Sequence, residues 1–184
     1  MPKLPENYVV VDLETTGLSP WRGDRVVEIG ALRVIRGEVV EKFWQLVNPG
    51  MPIPSEVQAI HGITDADVAD QPAIAEVLPR FFSFTSALPL VAHFAAFDRS
   101  FLESACRACR FPHPPQSYLC TVEMSRFINP HLARHSLDAL LRHYDIPVSD
   151  RHRSLGDAIA TWRLYEVLRQ AYEQRAGVRE SITQ

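Results

Sequence analysis

Residues 8–17 read YVVVDLETTG. Four apolar, mostly β-branched residues run without a polar break into Asp12, Leu13 and Glu14, and a Thr-Thr-Gly turn follows. An unbroken apolar run of this length suits a strand buried on both faces. Side chains alternate along a strand, so Asp12 and Glu14 fall on one face at its end. Outward from this strand, RVVEIGALRVI (25–35) reads as a second strand and Glu38 to Val47 as a third, with Gly37 at the hairpin turn. Asn48-Pro49-Gly50 closes this antiparallel meander.

Beyond residue 50 the periodicity changes to helical. Ser55 to Ile60 makes a short helical turn, and Thr64 with Asp67 three residues on forms a capping-box start. Pro72 to Phe84 and Phe97 to Arg110 have helical apolar spacing, separated by a short apolar strand, Leu88 to His93. Ser117 to Cys120 reads as a strand and Thr121 to Phe127 as a helix. Ser136 is placed to cap a helix to Tyr144, and Ser154 to cap a long helix to Gln174. Residues 175–184 are polar and are expected to fray. Three meander strands followed by strands alternating with helices give an α/β fold with a mixed, helix-flanked sheet.

The chain has 184 residues, 46% hydrophobic and 22% charged, which fits one domain, residues 1–184, with its core at about 8–174. It has no run of 18 apolar residues, so no membrane span is expected, and no apolar leader precedes the first strand. A cytoplasmic location is the expectation. Three cysteines argue against a disulfide framework. Cys106 and Cys109 share a helix face with His113 nearby, but no fourth zinc ligand is evident, so small buried thiols are expected. The net charge of −3 is wrong for a protein that holds a polyanion by charge alone. If this chain binds phosphates, metal ions must supply local positive charge.

Two carboxylates as close as Asp12 and Glu14 repel unless a cation lies between them, and hard divalent ions favour carboxylate oxygens. Two solvated acids at a strand end is the plainer reading. In AHFAAFDRSFL (92–102), Asp98 sits near the start of a helix, where the dipole favours an acid with or without a ligand, and Phe97 and Phe101 have core spacing. In DRHRSLGDA (150–158), His152 precedes a helix whose first turn carries Asp157. Each is also explained as a helix N-terminus with a helpful acid.

Taken together these segments resemble the DEDD exonuclease superfamily, in its histidine subclass, and are most similar to the proofreading exonucleases of bacterial replicative DNA polymerase III. The resemblance runs from about Tyr8 to Leu168 and rests on VDLETTGL, on Phe97-Asp98 with Phe101-Leu102, and on His152 spaced from Asp157. AIHGITDADV (59–68) and SLDALLRHYDI (136–146) also match. It implies a ribonuclease-H-like fold and a 3′→5′ exonuclease releasing 5′-mononucleotides from DNA, single-stranded for preference, in proofreading or repair. It implies two Mg²⁺ or Mn²⁺ ions: Asp12 bridging both, Glu14 and Asp157 completing the shell of one, Asp98 supporting the other. His152 is the implied general base. Thr15, Thr16 and Gly17 are the implied backbone contacts of the terminal nucleotide, with Leu18 and Ile63 beside its base and His61 in the same region. Phe94 stands where the family usually has asparagine; its ring either is exposed and stacks on a base or packs in the core. Cys120-Thr121 replaces a common Asp-Thr. An exoribonuclease or oligonucleotidase of the same subclass is the alternative, and a non-catalytic nucleic-acid-binding domain a third reading. A polymerase or repair partner and the oligomeric state stay open.

Overall fold

In the computed structural model, which describes residues 4–112, 116–148 and 151–182, strand β1 (Asn7–Thr15) is the third of five in a sheet ordered β3-β2-β1-β4-β5. His113 and Asp150 lie outside the described residues. β2 (Val26–Ile35) and β3 (Glu38–Leu46) pair antiparallel with their neighbours, and β4 (Leu90–Ala92) and β5 (Tyr118–Cys120) run parallel to β1. The hairpin turn between β2 and β3 is Arg36 and Gly37, with φ of 52° and 84°, the double left-handed turn that fits strand twist.

Helices α1 (Ser55–His61), α2 (Asp65–Val68) and α3 (Ile74–Thr85) lie between β3 and β4, and α4 (Ala95–Cys109) joins β4 to β5. Helices α5 (Thr121–Ile128), α6 (Leu137–His143) and α7 (Ser154–Ile182) complete the chain. The alternation of β1 sorts its side chains into two cores. Val9, Val11 and Leu13 pack with Phe81 of α3 and Phe101 of α4, while Tyr8 and Val10 pack with Ala158 and Tyr165 of α7. The other face of α7 buries Leu164 and Leu168 against Leu140 and Leu141 of α6.

The capping box of Thr64 and Asp67 forms as its spacing predicts. The two serine caps do not. Ser136 makes no side-chain cap bond to α6. Ser154 lies inside the helix it was expected to cap: the Arg153 carbonyl accepts the first helical bond, from the Asp157 N–H at 2.9 Å, and the Ser154 N–H donates to the Glu28 carboxylate at 2.7 Å. The last helix also continues past Gln174 to Ile182, through the segment expected to fray. Helix α4 begins at Ala95, two residues earlier than its apolar spacing indicates, with Phe94 as its left-handed N-cap. Among the described residues no helix is long and apolar enough to cross a membrane, and Cys106, Cys109 and Cys120 are free thiols.

Candidate active site

Asp12 and Glu14 continue the stripe of β1 that faces α7, and Asp157 lies in the first turn of that helix. Ligand atoms of these three carboxylates come within 4.8 Å of one another. Asp98, buried in the first turn of α4, adds a fourth charge beside Asp12. Burial pushes the Asp12 and Asp98 carboxyls well above the usual range; repulsion from Asp98 and Glu14 adds to the effect at Asp12. Glu14 is pushed to about 7, by burial first and by the charge of Glu28 second. A converging all-oxygen set held at this electrostatic cost fits a hard divalent cation.

Two arginines beside the cluster offset part of this cost. Arg151 pairs with Asp157 and, at 2.8 Å, with Asp138 of α6. Arg153 bonds Glu28 through Nε at 3.0 Å and Nη2 at 2.5 Å. His152, between them, is exposed at φ 63°, and its backbone N–H donates to Asp157 Oδ1 at 3.3 Å. The helix start therefore carries the histidine at the rim of the acidic cluster.

The turn after β1 is tied down internally. Thr15 Oγ1 donates to the Gly17 carbonyl at 2.6 Å, and Thr16 Oγ1 accepts from the Arg25 N–H at 3.0 Å. A Cβ on Gly17 would sit 2.4 Å from the Asp24 carboxylate, which itself accepts from the Ser19 N–H. Leu18 projects from this turn 87% exposed, and Phe94 at the head of α4 is 56% exposed, so Phe94 is not a core residue. His61 and Ile63 behave differently. His61 is buried, its Nδ1 accepting from the Ile63 N–H at 3.0 Å, and burial holds its pKa below the ordinary value. Ile63 is 2% exposed and packs with Val27, Ile53 and Val68. It does not present a wall to a base here, because its side chain is consumed by that satellite core.

The sequence reading missed Glu28, Arg151 and Arg153. The signal for Glu28 was present: a charge set between Val27 and Ile29 in a largely apolar strand whose other charged residue is Arg33. A buried acid in such a run requires partners. The arginines flanking His152 carried no signal apart from their charge.

An exonuclease family model (RNase T type) matches residues 9–165. The chain is 46% identical over 160 residues to a DNA polymerase III subunit epsilon-like protein of Rhodobacter capsulatus, covering 84% of this chain and 22% of that protein. It is 34% identical to a PolC-type DNA polymerase III of Halalkalibacterium halodurans, covering 89% of this chain and 12% of that one. The chain thus spans about a fifth or less of these relatives' length. Among solved structures, exonuclease X in complex with 5′ overhanging duplex DNA aligns with a TM-score of 0.72 at 33% identity, covering 87% of this chain and 89% of that one. E. coli exonuclease I in complex with a dT13 oligonucleotide shares the fold, with a TM-score of 0.80 at 16% identity over 95% of this chain and 43% of that one.

Proposed function

The chain belongs to the exonuclease family whose model spans residues 9–165, and from that premise we propose that it is a divalent-metal-dependent 3′→5′ exonuclease acting on DNA ends, single-stranded for preference. The observation that carries the reading is the convergence of Asp12, Glu14 and Asp157 within 4.8 Å, with Asp98 beside Asp12. Asp12, Glu14, Asp98 and Asp157 would hold two ions, Mg²⁺ or Mn²⁺. Bound there, the ions supply Lewis-acid stabilisation of the attacking and leaving oxygens of a phosphodiester.

The protein's own groups do the rest. His152, exposed at the rim, accepts the proton of the attacking water on its imidazole. The water oxygen bonds to phosphorus, the bond from phosphorus to the 3′ oxygen of the preceding nucleotide breaks, and that oxygen leaves with the bonding electron pair and takes a proton from solvent to become a new 3′-hydroxyl. A 5′-mononucleotide is released. The rigid Thr15–Gly17 backbone seats the terminal nucleotide, and the exposed Leu18 and Phe94 side chains flank bases. His61 supports the same turn through a hydrogen bond with the Thr15 backbone, and the Ile63 N–H orients the His61 ring. The DNA named in the relatives favours DNA over RNA for this chain.

The test is degradation of 5′-labelled single-stranded DNA and RNA of matched sequence with Mg²⁺, with Mn²⁺ and with EDTA, beside Asp12→Ala. A metal-dependent ladder shortening from the 3′ end, absent in the variant and faster on DNA, is the expected result. Faster RNA cleavage would overturn the substrate assignment. No cleavage of either by folded, metal-loaded protein would overturn the activity.

A further inference from the structure

Glu28 stands directly across from Glu14 in the antiparallel pairing of β1 and β2, so the two side chains share the face that α7 covers. Like charges in directly opposed strand positions destabilise a sheet, and Glu28 is 0% exposed. The arrangement persists because four donors meet its carboxylate. Oε1 accepts from Trp44 Nε1 at 2.9 Å and from Arg153 Nε and Nη2 at 3.0 and 2.5 Å, and Oε2 accepts from the Ser154 N–H at 2.7 Å. These bonds outweigh the burial that opposes ionisation and draw the carboxyl below its ordinary range. Three of the four come from residues 153 and 154, immediately after His152.

His152 has a left-handed backbone, φ 63°, which a non-glycine residue keeps only when the chain is held on both sides. Arg151 is held by Asp138 and Asp157 on one side. Arg153 and Ser154 are held by Glu28 on the other. Asp157 follows within the same turn, its N–H bonded to the Arg153 carbonyl at 2.9 Å. Gly30, two residues along the same face of β2, makes the approach feasible: a Cβ there would lie 2.3 Å from the Leu155 backbone nitrogen.

We propose that Glu28 is a positioning residue that fixes the start of α7, and with it both His152 and Asp157, against the acids of β1. The proposal rests on the function proposed above for those two residues. A carboxylate in this position orients groups that bind metal or move a proton while touching neither.

Glu28→Gln tests it, since the amide keeps the volume but its nitrogen donates where the carboxylate accepts. Arg153→Met, at a half-exposed side chain, provides a second variant that spares the core. Expected in Glu28→Gln are a kcat lower by about 10- to 100-fold with KM within about twofold, and a Mn²⁺ affinity of the metal-free protein weaker by about tenfold or more. Arg153→Met shows the same pattern more mildly. Amide exchange of residues 152–157 accelerates in both variants while that of β1 and β2 does not. Acceleration throughout the protein, or a lowered melting temperature with kcat and Mn²⁺ affinity intact, would make Glu28 a stability residue and overturn the proposal. Should wild type cleave nothing, the activity assignment fails by itself. The exchange and Mn²⁺ measurements then still decide the positioning role, and unchanged values in both variants overturn it.

Discussion

Phe94 holds φ 63° and ψ 52°, a left-handed conformation that costs a residue of this bulk about 1 kcal/mol or more and that asparagine accepts more readily. The asparagine usual in the resembled family at this position therefore has a backbone reason as well as any chemical one. Phe94→Asn is expected to stabilise the fold by about 1 kcal/mol in urea denaturation. Phe94→Ala is expected to raise KM for single-stranded DNA about fivefold or more, with kcat and Mn²⁺ affinity unchanged, if the exposed ring stacks on a base. An unchanged KM would assign the ring no substrate contact. Burial, with the charge of Glu28 beside it, pushes the Glu14 carboxyl up to about 7 in the folded protein without metal, against an ordinary 4.5. The folded state then binds more protons than the unfolded chain between these values, so this group's contribution to stability falls as pH rises through that window. The histidines pull the other way: burial lowers His93 to about 4 and His61 below its ordinary value. Comparison with Glu14→Gln isolates the carboxylate. In EDTA the variant should melt about 4 °C or more above wild type at pH 8, and the gap should close toward pH 4.5. A gap independent of pH would contradict the assignment.

At the scale of elements, the contact that builds the site is α7 on β2. Gly30, opposite Asp12 in the pairing, allows it: a Cβ would meet Leu155 N and Ser154 C at 2.3 Å, and both are backbone atoms that cannot rotate aside. Gly30→Ala is expected to cost about 3 kcal/mol in urea denaturation and to reduce Mn²⁺ affinity, because the helix must back away from the strand and take Asp157 with it. A well-folded variant with intact Mn²⁺ affinity would show that the helix start can shift without disturbing the cluster. The capping of this helix was misread for the same reason. Ser154 has the composition of a local cap, but it lies one residue inside the helix, and its N–H, which has no partner within the helix, is taken by a carboxylate more than a hundred residues earlier in the chain. Where the cap was wholly local, as with Thr64 and Asp67, residue spacing sufficed.

For the whole molecule, a net charge of −3 and a buried acidic cluster oppose a polyanion until cations are added. Single-stranded oligonucleotide binding, followed by fluorescence anisotropy, is expected to weaken at least about tenfold when EDTA replaces Ca²⁺, a dication chosen to bind without supporting rapid cleavage. Equal affinity in both conditions would place the binding surface away from the cluster. By itself the sequence determined the strand meander, the alternation of later strands and helices, and the acids at 12, 14, 98 and 157. These are matters of local period and residue type, to which a strand of period two or an amphipathic helix commits its own segment. Only the tertiary structure decided that Ile63 belongs to a core and Phe94 to the surface, and that Glu28 faces Glu14 and grips the start of α7. Burial and pairing between residues far apart in the chain depend on which faces the sheet and helices present to one another, and no single segment carries that information.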